Sequence, residues 1–452
     1  FLLDSDTSHI ANTMIDGSNE AWIMSWQTNK YNWSDTAYNK IIGVTIQNGN
    51  SNSSDRAGGL TLDYSHPISI ENVRFVGNKN TFNQGGALWA RNSSRLHMQD
   101  VVFKENYTSH EAAGFYASYA YISGNNWRFE KNEANNAAAF TVWDPKTFDV
   151  TDVVVRNNTS SGQGVVKINP YGLTKDTYLK NWQIRNNVSN YGILYVDDGP
   201  RGNNKTLYFD NLLIVDNAIN QDEGPGVYFN SSSGTQIFRN ATIYNNVAGN
   251  PNNSRSAQVY LNSSNSATNI IFLNSIIGST NGYAITSTDW NTSSITAKYC
   301  LIEGGSSKID EGTNTTVSTS NIITNSPYFN DASSGDYTLS DVSNSIGAGV
   351  SSETINSLSI SAPNTDLVGT ARPFPTSSDP DLGAYENVLD EPQVGISAVI
   401  LDNGFCKTNN GSITANLLNY TGTATYSWSS TTYPTWTWNA TQSATGLSSG
   451  DY

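Results

Sequence analysis

The chain has few residues of the types that build disulfide-stapled folds or zinc sites. Two cysteines in 452 residues are too few for a disulfide framework. Cys300 and Cys406 also fall in different predicted domains, and we expect Cys300 to be a buried thiol. No metal site is predicted, because the four histidines lack metal-ligand spacing. They are His9, His66, His97 and His110.

Charged residues are scarce as well, and basic residues are the minority among them. Lys and Arg number 24 against 39 Asp and Glu, which gives a net charge of -15. This balance argues against nucleic acid and anionic membrane surfaces as partners. No apolar run approaches the about 18 to 20 residues of a membrane-spanning helix. No cofactor is predicted; a structural calcium ion is compatible with the sequence, but no motif indicates one.

A seven-residue phrase recurs ten times between Gly43 and Gly304. It has a polar residue, then apolar residues at the second and fourth positions, and a closing small polar residue. The copies start about 24 to 34 residues apart, a period that predicts a solenoid. Weaker copies start at Gly43, Asn274 and Lys298. The seven clear copies are residues 72–78, 100–106, 126–132, 152–158, 181–187, 211–217 and 240–246.

Each phrase predicts a short strand with one buried face, because its apolar residues are two apart. A second strand follows about twelve residues later and is preceded by small residues, as at 85–87 and 226–228. A third apolar stretch, such as residues 95–98, leads into the next phrase. Three short strands per period without a helical pattern predict an all-β fold, a parallel β-helix of ten or more coils.

The asparagine that closes each phrase is predicted to form a stacked ladder. Side-chain amides about 4.8 Å apart both donate to and accept from the neighbouring coils. Asn also tolerates the left-handed backbone of a sharp corner. The predicted ladder consists of Asn78, Asn106, Asn132, Asn158, Asn187, Asn217 and Asn246.

The repeat ends before Val394, which predicts a domain boundary within residues 387–393. Residues 1–390 are assigned to the β-helix, including a closing segment at about 326–387. Residues 391–452 are assigned to a small β-sandwich-like module, with alternating strands such as 424–428. Because the chain begins without Met and stops where a further strand is expected, we interpret it as a segment of a longer precursor.

The repeated phrases resemble the right-handed parallel β-helix of polymorphic-outer-membrane-type and choice-of-anchor surface proteins. The closing segment resembles the C-terminal end of choice-of-anchor domains, and residues 396–452 resemble the repeat of SprB-type gliding-motility adhesins of Bacteroidetes. The resemblance implies a large secreted protein, exported by the type IX pathway and anchored at the cell surface. It also implies that Cys406 pairs with a cysteine beyond Tyr452, so we expect Cys406 to be unpaired here. The closing motifs are residues 326–329, 335–339, 345–349, 369–372 and 381–386.

Polysaccharide lyases and hydrolases also use β-helices, so a catalytic alternative is kept. They need carboxylates grouped with a basic residue or a second acid. The best group is Asp197, Asp198 and Arg201 in one loop, with Lys167 one coil earlier. We favour a solvent-facing Asp-Gly-Pro turn without such a partner, and therefore assign no catalytic residue.

Aromatic residues follow the second-strand positions at nearly the same phase, and a row of rings could stack on a polysaccharide. The alternative is that these rings pack within the β-helix. We therefore expect a non-enzymatic adhesin or stalk segment at the extracellular cell surface, with a surface polysaccharide or another cell-surface ligand as candidate partner. The secretion and anchoring machinery would be further partners. The candidate rings are Trp89, Tyr116, Trp143, Tyr195, Tyr228 and Tyr260.

Overall fold

The computed structural model describes residues 13–27, 39–401, 411–420, 423–430, 432 and 441–447, apart from 93, 200–204, 222, 231–233, 251, 254, 263–266, 279–281 and 289–291. It is 54% strand and 2% helical, which confirms the all-β class. The strands form a parallel β-solenoid of about nine turns, followed by small antiparallel sheets. Within the described residues, no helix is long and apolar enough to cross a membrane.

Three parallel sheets run along the solenoid, and we number them 1 to 3. Sheet 1 has 16 strands and contains the repeated phrases. Its inward side chains stack between turns, as Phe75, Phe103 and Phe129 do with ring centroids 5.0 and 4.8 Å apart. Its strands are Met14–Asp16, Asn39–Ile42, Thr45–Gln47, Ile68–Val76, Arg95–Lys104, Tyr121–Glu130, Thr147–Arg156, Thr177–Arg185, Thr206–Asp210, Leu213–Val215, Gly234–Arg239, Thr242–Tyr244, Thr268–Leu273, Ile276–Gly278, Ser293–Ile302 and Thr315–Ile323.

Sheet 2 corresponds to the predicted second strands and has 11 members. They are Met24–Gln27, Leu60–Asp63, Leu88–Arg91, Phe115–Ser118, Phe140–Trp143, Val166–Asn169, Leu194–Asp197, Val227–Asn230, Ala257–Asn262, Tyr283–Ser287 and Ile309–Asp310. Sheet 3 has seven short strands. They are Asn50–Ser51, Lys79–Asn80, Tyr107–Glu111, Glu133–Asn136, Thr159–Ser160, Val188–Ser189 and Ala218–Ile219. Sheet 3 is shorter than sheet 2, and the solenoid of about nine turns falls slightly below the ten coils predicted.

The third strand of each turn is not the predicted one. In most turns the apolar stretch before the phrase joins the phrase in one strand, such as Arg95–Lys104. The first residue of the phrase bends this strand, because Asn and Asp there adopt positive φ, 55° at Asp100 and 53° at Asn126. The pairing continues past the bend, so the strand is kinked rather than broken. Sheet 3 instead follows the asparagine that closes the phrase.

The seven closing asparagines form one buried ladder. In each turn the backbone N–H and the side-chain Nδ2 donate to Oδ1 of the next asparagine, and Nδ2 also donates to a carbonyl of the preceding turn. For Asn132 the acceptors are Asn158 Oδ1, at 2.9 Å from N and 2.8 Å from Nδ2, and Phe103 O at 3.0 Å. The ladder ends on Gln258, whose Oε1 accepts from Asn246 Nδ2 at 2.8 Å.

The left-handed corner that we assigned to the ladder asparagines belongs to the residue before each of them. These preceding residues have positive φ, whereas the ladder asparagines do not. The ladder asparagine has a structural role because its amide is satisfied on both sides, and not because of its backbone conformation. The left-handed residues are Gly77, Glu105, Lys131, Asn157, Asn186, Asp216 and Asn245.

Parallel pairing ends at Ile323, and the closing segment covers the outside of the last turns instead of adding another. Outward side chains of sheet 1 are apolar in these turns: Ile237, Ile271 and Leu273 are buried against the hairpin of Ser352–Ile355 and Leu358–Ser361. The 3₁₀ helices Gly305–Lys308 and Ala332–Ser334 and the pair Phe329–Asp331 and Asp336–Leu339 complete this region.

The closing motifs 369–372 and 381–386 contribute to a buried cluster of polar side chains. Arg372 Nε lies 2.9 Å from Glu386 Oε1, and both side chains are fully buried. Asp366 accepts from the Val368 and Thr370 backbone, and Asp381 accepts from Gly347. These polar residues therefore hold the closing segment in place.

The C-terminal module contributes a three-stranded antiparallel sheet of Gly395–Leu401, Gly411–Leu418 and Ser443–Leu447. Asn419 Nδ2 donates to Val342 O at 2.9 Å and so links this sheet to the closing segment. Residues 424–428, predicted as a strand, are described without one. Cys406 lies outside the described residues, and Cys300 is a buried free thiol.

Candidate functional site

The outward positions of sheet 2 form a row with one residue per turn, which we call the outer row. Strand register aligns these residues, and their neighbours on either side point into the core. Trp143 is not a member, because it pairs with Ser118 and Asn169 at a different position. The row consists of Thr61, Trp89, Tyr116, Thr141, Lys167, Tyr195, Tyr228 and Tyr260.

The rings of the outer row are covered, in agreement with the alternative that they pack on the β-helix and not with an open aromatic platform. Five candidate rings, those of Trp89, Tyr116, Tyr195, Tyr228 and Tyr260, are at most 9% exposed. The rings of Tyr195 and Tyr228 stack on each other, with centroids 4.8 Å apart and planes 7° apart. In-register strands lie about 4.8 Å apart, which suits ring stacking between turns. The stacked faces therefore pack on each other and are closed to a sugar ring.

The outer row carries an ion cluster at its centre. The Lys167 ammonium lies 3.6 Å from Glu111 Oε1 and 3.7 Å from Asp197 Oδ2, and its side chain is 10% exposed. It also lies 5.3 Å from the Trp143 ring centroid and 5.5 Å from that of Tyr195. Two carboxylates around one ammonium leave the cluster with one net negative charge, so it disfavours an anionic ligand.

This cluster corrects the expectation that Asp197 lies in a solvent-facing turn without a partner. Asp197 converges with Lys167 from the preceding turn, as the catalytic alternative requires, and with Glu111 from two turns before that. Asp198 occupies the adjacent corner at φ 47°. Arg201 lies outside the described residues. The sequence did not point to Glu111, because it belongs to sheet 3 and reaches Lys167 across two turns.

A cleft lies at the C-terminal end of the outer row. It has a volume of about 500 Å³ and is lined by Tyr260, Arg255, Asn262, Ser287, Thr288, Asp310, Gly312 and Thr313. The Tyr260 and Thr288 hydroxyls are 2.7 Å apart, and Asn262 Nδ2 donates to the Tyr228 hydroxyl at 2.8 Å. Arg255 Nη1 lies 2.7 Å from Glu223 Oε1. Planar polar side chains and hydroxyls are groups that can hydrogen-bond to the hydroxyls of a sugar.

The tyrosines of the outer row keep their protons. Burial raises the pKa of Tyr195, of Tyr228 and of Tyr260 above the ordinary value. Their hydroxyls therefore both donate and accept hydrogen bonds at neutral pH. Glu223 stands beside Tyr228, with the hydroxyl donating to Oε2 at 3.4 Å. The cleft wall thus combines neutral hydroxyls and amides with the paired Arg255 guanidinium and the Asp310 carboxylate.

A second, smaller cleft of about 210 Å³ lies on sheet 3, beside Tyr107, Ser109, Glu133 and Asn135. Among the residues that the structure describes, no group of three His, Cys, Asp or Glu side chains could hold a metal ion. Sequence reasoning missed both clefts, since each collects side chains from several turns.

The described residues define a parallel β-solenoid with an amide ladder inside and an ion cluster and cleft outside. Comparisons with family models, with curated proteins and with solved structures find no match for the chain. Evidence about its function therefore comes from the chemistry of its own surface.

Proposed function

We propose that the chain is a non-catalytic adhesin or stalk segment of a larger secreted bacterial surface protein, and that it binds a glycan in the cleft beside Tyr260. The cleft carries this proposal. It brings a guanidinium, a carboxylate, an amide and hydroxyls to one space of about 500 Å³, and pockets of this size hold small ligands.

The finer identity rests on resemblance. The motifs of the closing segment support a choice-of-anchor-type β-helix, and the module after residue 394 supports a SprB-type adhesin repeat from Bacteroidetes. In that setting the protein is exported by the type IX pathway and serves gliding or adhesion at the cell surface. A rigid solenoid suits this role, because stacked turns hold a binding site away from the surface.

A glycan panel followed by titration calorimetry tests the cleft. We expect Asn262→Ala and Asp310→Ala each to weaken binding of the best panel glycan about tenfold, as the loss of one good hydrogen bond implies. Glu133→Ala in the sheet 3 cleft is the matched control and should leave affinity unchanged. Wild-type affinity in both cleft variants, or a panel on which the wild-type protein binds nothing, would refute the proposal.

The ion cluster favours the alternative of a polysaccharide lyase or hydrolase. The Glu111 and Asp197 carboxylates lie 3.6 and 3.7 Å from the Lys167 ammonium, and a base beside acids is what such chemistry uses. Both carboxylates point at the ammonium, however, and this mutual pairing favours a structural role. Reducing-sugar and unsaturated-product assays on neutral and acidic polysaccharides distinguish the two. Cleavage that is abolished by Asp197→Asn would establish the enzyme.

A further inference from the structure

Three exposed tyrosines lie at the corner that follows the sheet 2 strands. Tyr64 directly follows Leu60–Asp63, and Tyr119 directly follows Phe115–Ser118. Tyr171 comes two residues after Val166–Asn169. Their side chains are 46%, 44% and 47% exposed, unlike the covered rings of the outer row. We call these three residues the tyrosine corner.

Two of these tyrosines adopt a backbone conformation that their residue type disfavours. Tyr64 has φ 47° and Tyr119 has φ 54°. The same corner of the intervening turns carries Asn92 and Asp144, residue types that tolerate this left-handed region. A bulky side chain at positive φ is strained, and such strain concentrates at binding sites.

The ring of Tyr119 is packed less closely than that of another tyrosine with positive φ. Tyr299 also has positive φ, but its ring packs against the cluster of Ile237 and Leu273 beneath the closing hairpin. Tyr119 instead has about half of its surface in water, with the Lys146 ammonium 5.7 Å from its ring centroid. A largely exposed ring on a strained backbone points to a role in binding.

The spacing of the corner identifies a ligand. Tyr64, Tyr119 and Tyr171 lie on alternate turns, since Asn92 N donates to Ser118 O and Asp144 N donates to Asn169 O. Two turns advance about 10 Å along the axis. An extended β-1,4-linked hexose chain repeats its geometry every two sugars over a closely similar length. Rings at this period meet every second sugar.

We infer that the tyrosine corner binds an extended, neutral β-1,4-linked polysaccharide running along the solenoid axis. The inference rests on the proposed function in that the ligand is a glycan, but it assigns a separate site. Tyrosine rings present apolar faces to the C–H faces of sugars. A neutral chain fits a protein with a net charge of -15, because an acidic polysaccharide would be repelled.

Substitution by asparagine separates binding from stability. Tyr64→Asn and Tyr119→Asn place in the corner the residue that neighbouring turns already use, so the melting temperature should stay equal or rise. The probes are chitohexaose and hydroxyethyl cellulose, with amylose as the α-linked comparison. In affinity electrophoresis and calorimetry, we expect each single variant to weaken binding of the β-linked probes at least threefold. The triple variant, which combines Tyr64→Asn, Tyr119→Asn and Tyr171→Ala, should no longer bind the β-linked probes.

Tyr191→Ala is the control, because Tyr191 is 37% exposed and lies outside the corner. It should bind like the wild-type protein. Unchanged binding in the corner variants, equal binding of amylose, or no binding of the β-linked probes by the wild-type protein would each overturn the inference. Loss of glycan binding only in the Asn262→Ala and Asp310→Ala variants would overturn it while retaining the proposed function. Loss of glycan binding only in the corner variants would retain the inference and overturn the proposed cleft site.

Discussion

The ladder asparagines and the outer row obey the same geometry but differ in composition. Both place one side chain per turn in register, about 4.8 Å from the next. Seven turns of the ladder carry the same residue, whereas the outer row changes from ring to hydroxyl to ammonium and back to ring. Stacking of turns therefore tolerates different residue types in the outer row but requires asparagine in the ladder.

The difference follows from where the hydrogen-bond partners lie. Each ladder amide is buried, and a buried amide without hydrogen-bond partners lowers the stability of the folded protein. Each interior asparagine accepts from one neighbour and donates to the other, so replacing Asn158 by a residue without an amide removes the acceptor of Asn132 and one of the two donors to Asn187. Polar outer-row side chains instead reach groups of other strands; Thr141 Oγ1 donates to Glu111 Oε1 at 3.0 Å, and the Lys167 ammonium lies 3.6 Å from the same oxygen. Because the residue types of the outer row can vary, a binding site can arise there.

The largest expected effect comes from breaking the outer row at its charged member. Lys167→Met leaves Glu111 and Asp197 facing each other without a cation, and we expect a loss of about 3 kcal/mol in the free energy of unfolding. Urea denaturation at neutral pH measures it. Lys131→Met is the control, since its Nζ lies 4.0 Å from Glu105 and its side chain is 60% exposed. A loss no larger than that of the control would show that the cluster is not structural.

An interior break in the ladder should cost somewhat less. Asn158→Ala removes the acceptor of both Asn132 donors and its own donor to Asn187, at about 2 kcal/mol. Asn220→Ala removes an exposed contact of the same type, Nδ2 to Asn190 Oδ1 at 3.0 Å, and should cost little. Equal losses in thermal and urea unfolding would contradict the distinction between buried and exposed asparagine pairs.

The smallest effect should come from a single hydroxyl in the outer row. Tyr228→Phe keeps the ring stack with Tyr195 but removes the acceptor of Asn262 Nδ2, so we expect a loss of about 1 kcal/mol. The same variant should weaken glycan binding in the cleft, because Asn262 is then free to turn away. Tyr195→Phe, at the other side of the stack, should leave cleft affinity intact. Calorimetry on both variants would sharpen the contrast between a stacking ring and a positioning hydroxyl.

Sequence reasoning succeeded where the structure repeats. The phrase at 100–106 predicted a strand, a closing amide and a neighbour one turn away, because its period is a local property of the chain. It failed on the backbone at the corner, where Glu105 and not Asn106 is left-handed. It also missed Gln258, since this residue comes from sheet 2 and ends the ladder only through folding.

The sequence by itself determined the solenoid and the position of each ladder asparagine, because both follow from patterns within one or two periods. Tertiary structure alone decided which rings are covered, how Glu111 reaches Lys167, and which tyrosines remain in water. These features depend on which side chains of different turns meet, and the length of each intervening loop sets that. A sequence pattern specifies the stacking of turns, whereas the neighbours of an outward side chain arise only when the turns are stacked.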